Sequence, residues 1–512
     1  MKRPTFARGA LMLLLVNLFT RLLGFTYRAL AVRLLGAEGI GLYEMVFPWY
    51  GLALVLTTAG FPLALARITA EATARAECRR AQLAFTATLL TVSVAGAASA
   101  LAFHRFAPDL ARYLLPDPRT ETVLTAIVPA LVVVPIASAF RGWFQGLGRL
   151  DLPAAAQAAE QVSRVLLGLY LAARLLPRGL EAAASGLAWG MVAGEMVGLG
   201  CLLLAYRRIS PLPEGGAAIN SGLIGIWLEL WRLGWPVTLG RLVASTTLTL
   251  EAALIPQRLQ AAGYSLRRAT ELYGQFAGVA MTLLLLPTVL TLSLATTAVP
   301  AVAEAVARNH RGLLNRRIND SLRLSLLGGL PFAVTYLLFP HQLAAFLFDQ
   351  ARAGAPLRVL AAGAVFIYLQ QTSTGILQGL GRPDLATRNS LLGAGLLLAG
   401  VYWLTALPEA GLQGAAMAVV LSAVAGCYLN LRSIARLTGT FLSATVVVRA
   451  VAAGTVMGAV ALWIYRFLDP SLSSVVSLFG ALVPATMAYL LAALCTGVLS
   501  YHDLVRLLRR PQ

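Results

Sequence analysis

Apolar residues run in long blocks, broken by glycine, proline and clusters of arginine. Leu11–Val16, Leu283–Leu286 and Val446–Val460 belong to such blocks. Each is long enough to cross a bilayer, which takes about 20 residues per helix. The breaks divide the chain into fourteen candidate spans. Six centre near Leu22, Val55, Val92, Val132, Leu167 and Val192, and six near Val243, Leu285, Leu330, Ile367, Leu397 and Val420. Two more lie near Val456 and Ala488. The connections are short, the longest polar stretches being Tyr206–Ser221 and Arg308–Arg323. The pattern predicts an all-α polytopic membrane protein of about fourteen transmembrane helices.

Composition agrees. Of 512 residues, 58% are hydrophobic and 12% charged, where a soluble protein carries about 25% charged residues. That excludes an ordinary soluble enzyme. The net charge is +19, and Lys2 is the one lysine among 41 basic residues. A basic soluble protein would suggest nucleic acid. Here the bases are spread over many short loops, so no nucleic-acid partner is expected and membrane topology explains them first. With the N-terminus inside, inward segments hold 23 basic residues and outward segments 12. This bias predicts both termini in the cytoplasm. Lys2, Arg3 and Arg8 precede an apolar run as in a signal peptide. Arg21, Arg28 and Arg33 then interrupt the apolar pattern, so the segment reads as a retained first helix. Cys78, Cys201, Cys427 and Cys495 are far apart and suggest neither a disulfide framework nor a metal site. No cofactor is expected.

The chain repeats itself. Residues 145–152 read QGLGRLDL and residues 378–385 read QGLGRPDL, seven matches in eight at a spacing of 233. Looser echoes pair Thr57–Pro62 with Thr296–Pro300, Leu42-Tyr43 with Leu272-Tyr273, and Arg21 with Arg241. Six helices before and six after place both copies in one orientation. This predicts two parallel six-helix repeats, an N-lobe over 1–220 and a C-lobe over 221–440, with two further helices over 441–512. In the motif itself the glycines suit a helix-ending turn. Asp151 and Asp384 suit capping of the next helix.

Charges within the spans are the candidate site, since each costs about 2.5–3.5 kcal/mol at mid-bilayer on insertion scales. Arg21 and Arg28 are seven apart, on one face of the first helix. They are about 10.5 Å apart along its axis, a spacing suited to a diphosphate or an extended anionic headgroup. The opposing reading is neutralisation by Glu44 or snorkelling to an interface. Arg241 is the repeat counterpart. Glu251 could pair with an arginine or carry a proton. Glu160 and Arg164 read as an intrahelical ion pair, and Glu229 and Arg232 as interfacial. Pro48, Pro62, Pro287 and Pro300 either curve the second and eighth helices or let them move.

The opening residues resemble a known family. Arg21-Leu-Leu-Gly-Phe, the GAEG-x-GLY element at Gly36–Tyr43, Pro48, Gly60-Phe61-Pro62 and Ala70-Glu71 are similar to stage V sporulation protein B-like polysaccharide exporters. These belong to the multidrug/oligosaccharidyl-lipid/polysaccharide flippase superfamily, beside the lipid II flippases. The resemblance implies flipping of an undecaprenyl-diphosphate-linked sugar to the outer leaflet. It also implies a central cationic cavity from helices one, two, seven and eight, with a lipid-tail groove on the last two helices. Arg21 matches the first arginine of the lipid II flippases. Tyr27 stands at the position of their second, with Arg28 next to it, and nothing around Pro48-Trp49-Tyr50 matches their second-helix arginine. This favours the sporulation-type branch.

The expected function is therefore export of an anionic lipid-linked glycan across the bacterial cytoplasmic membrane by alternating access, for cell-envelope, polysaccharide or spore-cortex synthesis. Arg21, Arg28 and Arg241 would bind substrate, and Glu44 and Glu251 would serve as counter-charges or coupling groups. No nucleotide-binding motif is present. Moving two negative charges outward across an inside-negative membrane gains up to about 4.6 kcal/mol per 100 mV, and a coupling ion is left open. The alternatives are a multidrug cation antiporter of the same superfamily, a non-transporting envelope-assembly protein, or a membrane glycosyltransferase. The last would draw on the outer acids Asp109, Asp117 and Glu121.

Overall fold

The computed structural model describes residues 6–208, 222–468 and 474–499, with side chains from residue 16 onward except at 17, 474 and 475. Lys2, Arg3, Arg506, Arg509, Arg510 and the polar stretch 209–221 lie outside the described residues. The chain is helical throughout the described residues: α1 (Phe6–Thr58), α2 (Phe61–Ala74), α3 (Cys78–Asp109), α4 (Thr120–Ile127), α5 (Ala130–Gly146), α6 (Asp151–Leu175), α7 (Leu180–Arg208), α8 (Leu223–Ala261) and α9 (Leu266–Tyr273). Next come α10 (Met281–Leu285), α11 (Thr288–Ala307), α12 (Arg311–Leu338), α13 (Pro340–Phe348), α14 (Gly354–Gly379), α15 (Pro383–Leu404), α16 (Gly411–Thr438), α17 (Ala444–Leu468) and α18 (Ser474–Cys495). Among the described residues, ten helical segments are long and apolar enough to cross a membrane. This is a multi-pass membrane protein.

Two compact units form. One comprises Met1–Gln257 with Ser265–Gly274, the other Arg258–Tyr264 with Gln275–Gln512. The sequence repeat divides the chain by ancestry, whereas these units divide it by packing, and α8 through Gln257 packs with the first. Trp231 of α8 meets Phe61 at 5.9 Å between ring centroids. Thr249 donates a hydrogen bond to the Pro48 carbonyl at 3.0 Å.

The first unit starts with a hairpin that has no loop. Gly36 interrupts α1 at φ 69°, ψ 178°, a conformation that costs glycine little. Eight residues to either side of it, Arg28 and Glu44 touch, so the chain folds back there. Behind the hairpin, α7 carries Gly186, Gly190, Gly194 and Gly198 at every fourth position. A Cβ on Gly190 would overlap Gly168 of α6, and one on Gly194 would stand 2.8 Å from the Glu160 carbonyl oxygen. Small residues at this spacing let membrane helices approach backbone to backbone.

In the second unit, Pro287 has no N–H for the Leu283 carbonyl one turn earlier. The Leu283 carbonyl instead accepts from the Leu286 amide at 3.2 Å and from the Tyr336 hydroxyl at 2.8 Å, and the Leu284 carbonyl next to it accepts from the Tyr368 hydroxyl at 2.9 Å. Both carbonyls at the bend thus have a donor, as lipid requires.

The repeated motif has one geometry in both copies. Gly148 has φ 71° and Gly381 φ 73°. The Arg149 amide donates to the Phe144 carbonyl at 2.9 Å and the Arg382 amide to the Leu377 carbonyl at 3.0 Å. Asp151 and Asp384 do not cap the helices they begin. Each instead takes the arginine two residues earlier, at 3.0 Å and 2.8 Å, because the left-handed glycine turns that arginine back toward it. Bonding to Arg149 holds the Asp151 carboxyl below the usual carboxylate range.

Packing also corrects the looser echoes. Gly142 stacks on Pro62 and Gly146 on Ala66, while Gly375 stacks on Ala295 and Gly379 on Val299. All four pairs keep the spacing of 233. Pro62 therefore corresponds to Ala295. The resemblance of Thr57–Pro62 to Thr296–Pro300 is out of register by about a turn and a half of helix.

Candidate substrate site

The five predicted site residues all lie in the first unit. Arg28 donates to Glu44 Oε1 at 2.6 Å, with the Glu44 side chain 10% exposed. At 1.5 Å per residue, the pair sits about 12 Å along the hairpin from the Gly36 turn. Tyr273 lies within electrostatic range of this pair and also of Glu251. Glu251 is 8% exposed and makes no ion pair among the described residues. Arg21 and Arg241 are exposed on the protein surface, and neither has an acidic partner among the described residues. The structure thus brings Arg28, Glu44 and Glu251 around Tyr273. It gives Arg28 its counter-charge and leaves Glu251 without one.

A second charged cluster lies beside the first. Arg164 donates to Glu160 at 2.7 Å, as the four-residue spacing predicts, and at 2.7 Å to Glu195 of α7. Arg141 joins them, 2.6 Å from Glu160. Tyr43 is within electrostatic range of Arg164, Glu44 and Arg28, so the two clusters share a field. Three polar atoms of this group, Arg141 Nε, Arg164 Nε and Glu195 Oε2, are buried without a hydrogen-bond partner among the described residues, although Glu195 Oε2 lies 3.5 Å from the Arg141 guanidinium. Buried polar atoms left over in this way are places for ordered water. The sequence alone pairs neither Arg141 nor Glu195 with this cluster. The signal was the four-residue glycine spacing of α7, which marks the face that presses on α6.

Two other expectations change. Glu229 pairs across helices with Arg80 at 2.6 Å, because α8 lies against α3. Of the outer acids, Asp117 is fully buried and already occupied. It accepts from Arg119 at 2.7 Å and from Thr270 at 2.8 Å. Arg119 also reaches Glu38 at 2.6 Å. The Asp117 hydrogen bond raises the Arg119 guanidinium above its ordinary range. This cluster ties the α1 turn to the loop before α4 and leaves Asp117 unavailable as one of a carboxylate pair for glycosyl transfer.

The polytopic helical fold is shared with solved membrane transporters. The lipid II flippase MurJ in an inward closed conformation matches with TM-score 0.72 at 13% identity, over 97% of this chain and 100% of that one. An inward-facing multidrug resistance MATE family transporter of the MOP superfamily matches with TM-score 0.69 at 14% identity, over 82% and 95%. The chain belongs to the polysaccharide biosynthesis protein family, whose model matches residues 6–306. The MatE model matches residues 276–404. Stage V sporulation protein B of Bacillus subtilis (strain 168) is 30% identical over 99% of this chain and 98% of its own. Lipid II flippase MurJ of the same organism is 24% identical over 84% and 83%.

Proposed function

We propose that this protein flips or exports an anionic, undecaprenyl-diphosphate-linked glycan from the cytoplasmic to the outer leaflet by alternating access, in envelope, polysaccharide or spore-cortex synthesis. The observation that carries the reading is the state of the arginines. Arg21 of α1 and Arg241 of α8 have no acidic partner among the described residues, and Arg28 is held by Glu44 at 2.6 Å. A guanidinium forks onto phosphate oxygens, so a diphosphate relieves all three and competes with Glu44 for Arg28. The relatives named as sporulation protein and lipid II flippase support the same chemistry. Against a cation antiporter, Glu44, Glu160 and Glu195 are each engaged by arginine. Glu251 remains as the group to carry a proton or meet an arginine during the cycle. Both termini lie in the cytoplasm in this reading, as the arginine bias requires.

The test is flipping of undecaprenyl-diphosphate-linked oligosaccharide in proteoliposomes. Arg21→Ala, Arg28→Ala and Arg241→Ala abolish it while leaving folded protein in the membrane, and Arg28→Lys keeps part of it. Alanine variants that flip at the wild-type rate overturn the site. A wild-type protein that flips nothing overturns the function.

A further inference from the structure

A groove of about 440 Å³ opens in the second unit between α11 and α14, within the range of ligand sites. Its walls are two helical stripes. Thr288, Leu292, Thr296 and Val299 line one, and Ile367, Gln370, Gln371, Thr374 and Gln378 line the other. The helices meet along its floor, where a Cβ on Gly375 would stand 2.5 Å from the Ala295 carbonyl oxygen. The stripe from Thr288 to Val299 runs about 16 Å, room for several linked sugar rings. Every lining residue is uncharged, in contrast to the arginine-rich first unit.

The groove's three threonine hydroxyls already donate to the backbone carbonyls of Leu285, Ser293 and Gln370, so its three glutamines are the groups in need of polar partners, since unpaired amides are costly in apolar surroundings. The Gln371 carbonyl oxygen is already taken by the Thr291 hydroxyl at 2.5 Å, which leaves its N–H donors. Gln378 is exposed and makes no side-chain hydrogen bond among the described residues. An amide offers donors and acceptors together, as a sugar hydroxyl does. Leu292, Val299 and Ile367 supply apolar surface for the ring C–H faces. The duplication sharpens the contrast. At the spacing of 233, Gln378 corresponds to Gln145, but Thr374 corresponds to Arg141, which is tied to Glu160. One copy of this stripe has charge and the other has none.

We infer that this groove binds the uncharged sugar units of the glycan, with Gln371 and Gln378 as the hydrogen-bonding residues. The inference rests on the proposed flippase reading and assigns the sugar a subsite separate from the arginines. The experiment measures binding to the full-length protein in nanodiscs. Its two probes are undecaprenyl diphosphate and undecaprenyl diphosphate carrying an N-acetylglucosamine trisaccharide. The double variant Gln371→Leu/Gln378→Leu binds the glycan-bearing probe about tenfold more weakly and the bare diphosphate as wild type does. Gln371→Asn/Gln378→Asn, which keeps the amides, falls between and guards against misfolding. Arg28→Ala weakens both probes. Unchanged glycan affinity in the leucine variant, or equal loss for both probes, overturns the groove and leaves the flippase reading standing. If the wild type binds neither probe, the flippase reading falls and takes the groove with it.

Discussion

Gly41 and Gly274, 233 residues apart, occupy equivalent places in one reciprocal contact. A Cβ on Gly41 would overlap the Thr270 carbonyl oxygen, and a Cβ on Gly274 would overlap that of Ala37. Ala37 and Thr270 are themselves 233 apart, so the second half of α1 and the segment at α9 meet through a pseudo-two-fold axis. Such self-complementary contacts relate equivalent patches. The expected result is that Gly41→Leu and Gly274→Leu each destabilise by about 1–3 kcal/mol, and by equal amounts. Thermal melting in detergent checks this, and tolerance of one variant but not the other contradicts the symmetry.

Glu44 competes with substrate for Arg28 in the proposed cycle. Glu44→Gln removes the competing charge at the same volume. It is expected to tighten binding of an undecaprenyl-diphosphate probe about fivefold, near the low end of site coupling, and to slow release. Equilibrium binding and single-turnover flipping separate the two effects. Weaker binding in Glu44→Gln contradicts the competition.

The α6/α7 cluster is structural in its energetics. Glu195→Ala leaves Arg164 buried with one carboxylate in place of two, and breaking a buried pair costs about 3–5 kcal/mol. Glu71, paired with Arg67 on an exposed surface, is the control, and Glu71→Ala leaves the melting temperature unchanged. Combining Glu195→Ala with Arg164→Met restores part of the loss, because the charge left behind is removed as well. A Glu195→Ala protein as stable as wild type contradicts the buried network.

Gly148 and Gly381 are unobstructed but left-handed. Gly148→Ala and Gly381→Ala therefore meet backbone strain alone, about 1–2 kcal/mol each. The Arg149–Asp151 pair adds a pH dependence. The Asp151 carboxyl is lowered in the folded protein, so its contribution is present above the ordinary aspartate range and is lost as pH falls through the lowered folded value. Because the pair is still partly exposed, solvent screening keeps that contribution small. Melting against pH, with Asp151→Asn as reference, measures it.

Much of the fold was legible along the chain. Long apolar blocks have one stable arrangement in lipid, the helix that satisfies its own backbone, and Gly148 and Gly381 announced identical turns. The site was legible in part. Arginines inside spans stand out because they are costly, and the Glu160–Arg164 pair is set by the helical period. Across helices the pattern carried less information. Glu195 reaches Arg164 over 31 positions, Glu229 reaches Arg80 over 149, and Asp117 meets Thr270 over 153.

What the residues determined by themselves was therefore local: helix, turn, membrane partition and the existence of two copies. Only tertiary packing decided the rest. It set the register of the copies, for Pro62 corresponds to Ala295 although the letters favoured Pro300. It gave Glu44 to Arg28 and left Glu251 without an ion pair among the described residues. It joined Arg141 to Glu160, and it took Asp151 and Asp384 from helix caps to arginine partners. The physical reason is range. Backbone hydrogen bonding and hydrophobic partition act on each segment by its own composition, whereas an ion pair depends on which faces meet. In this chain those faces are chosen by glycines such as Gly190 and Gly194, whose missing side chains allow one helix to approach another.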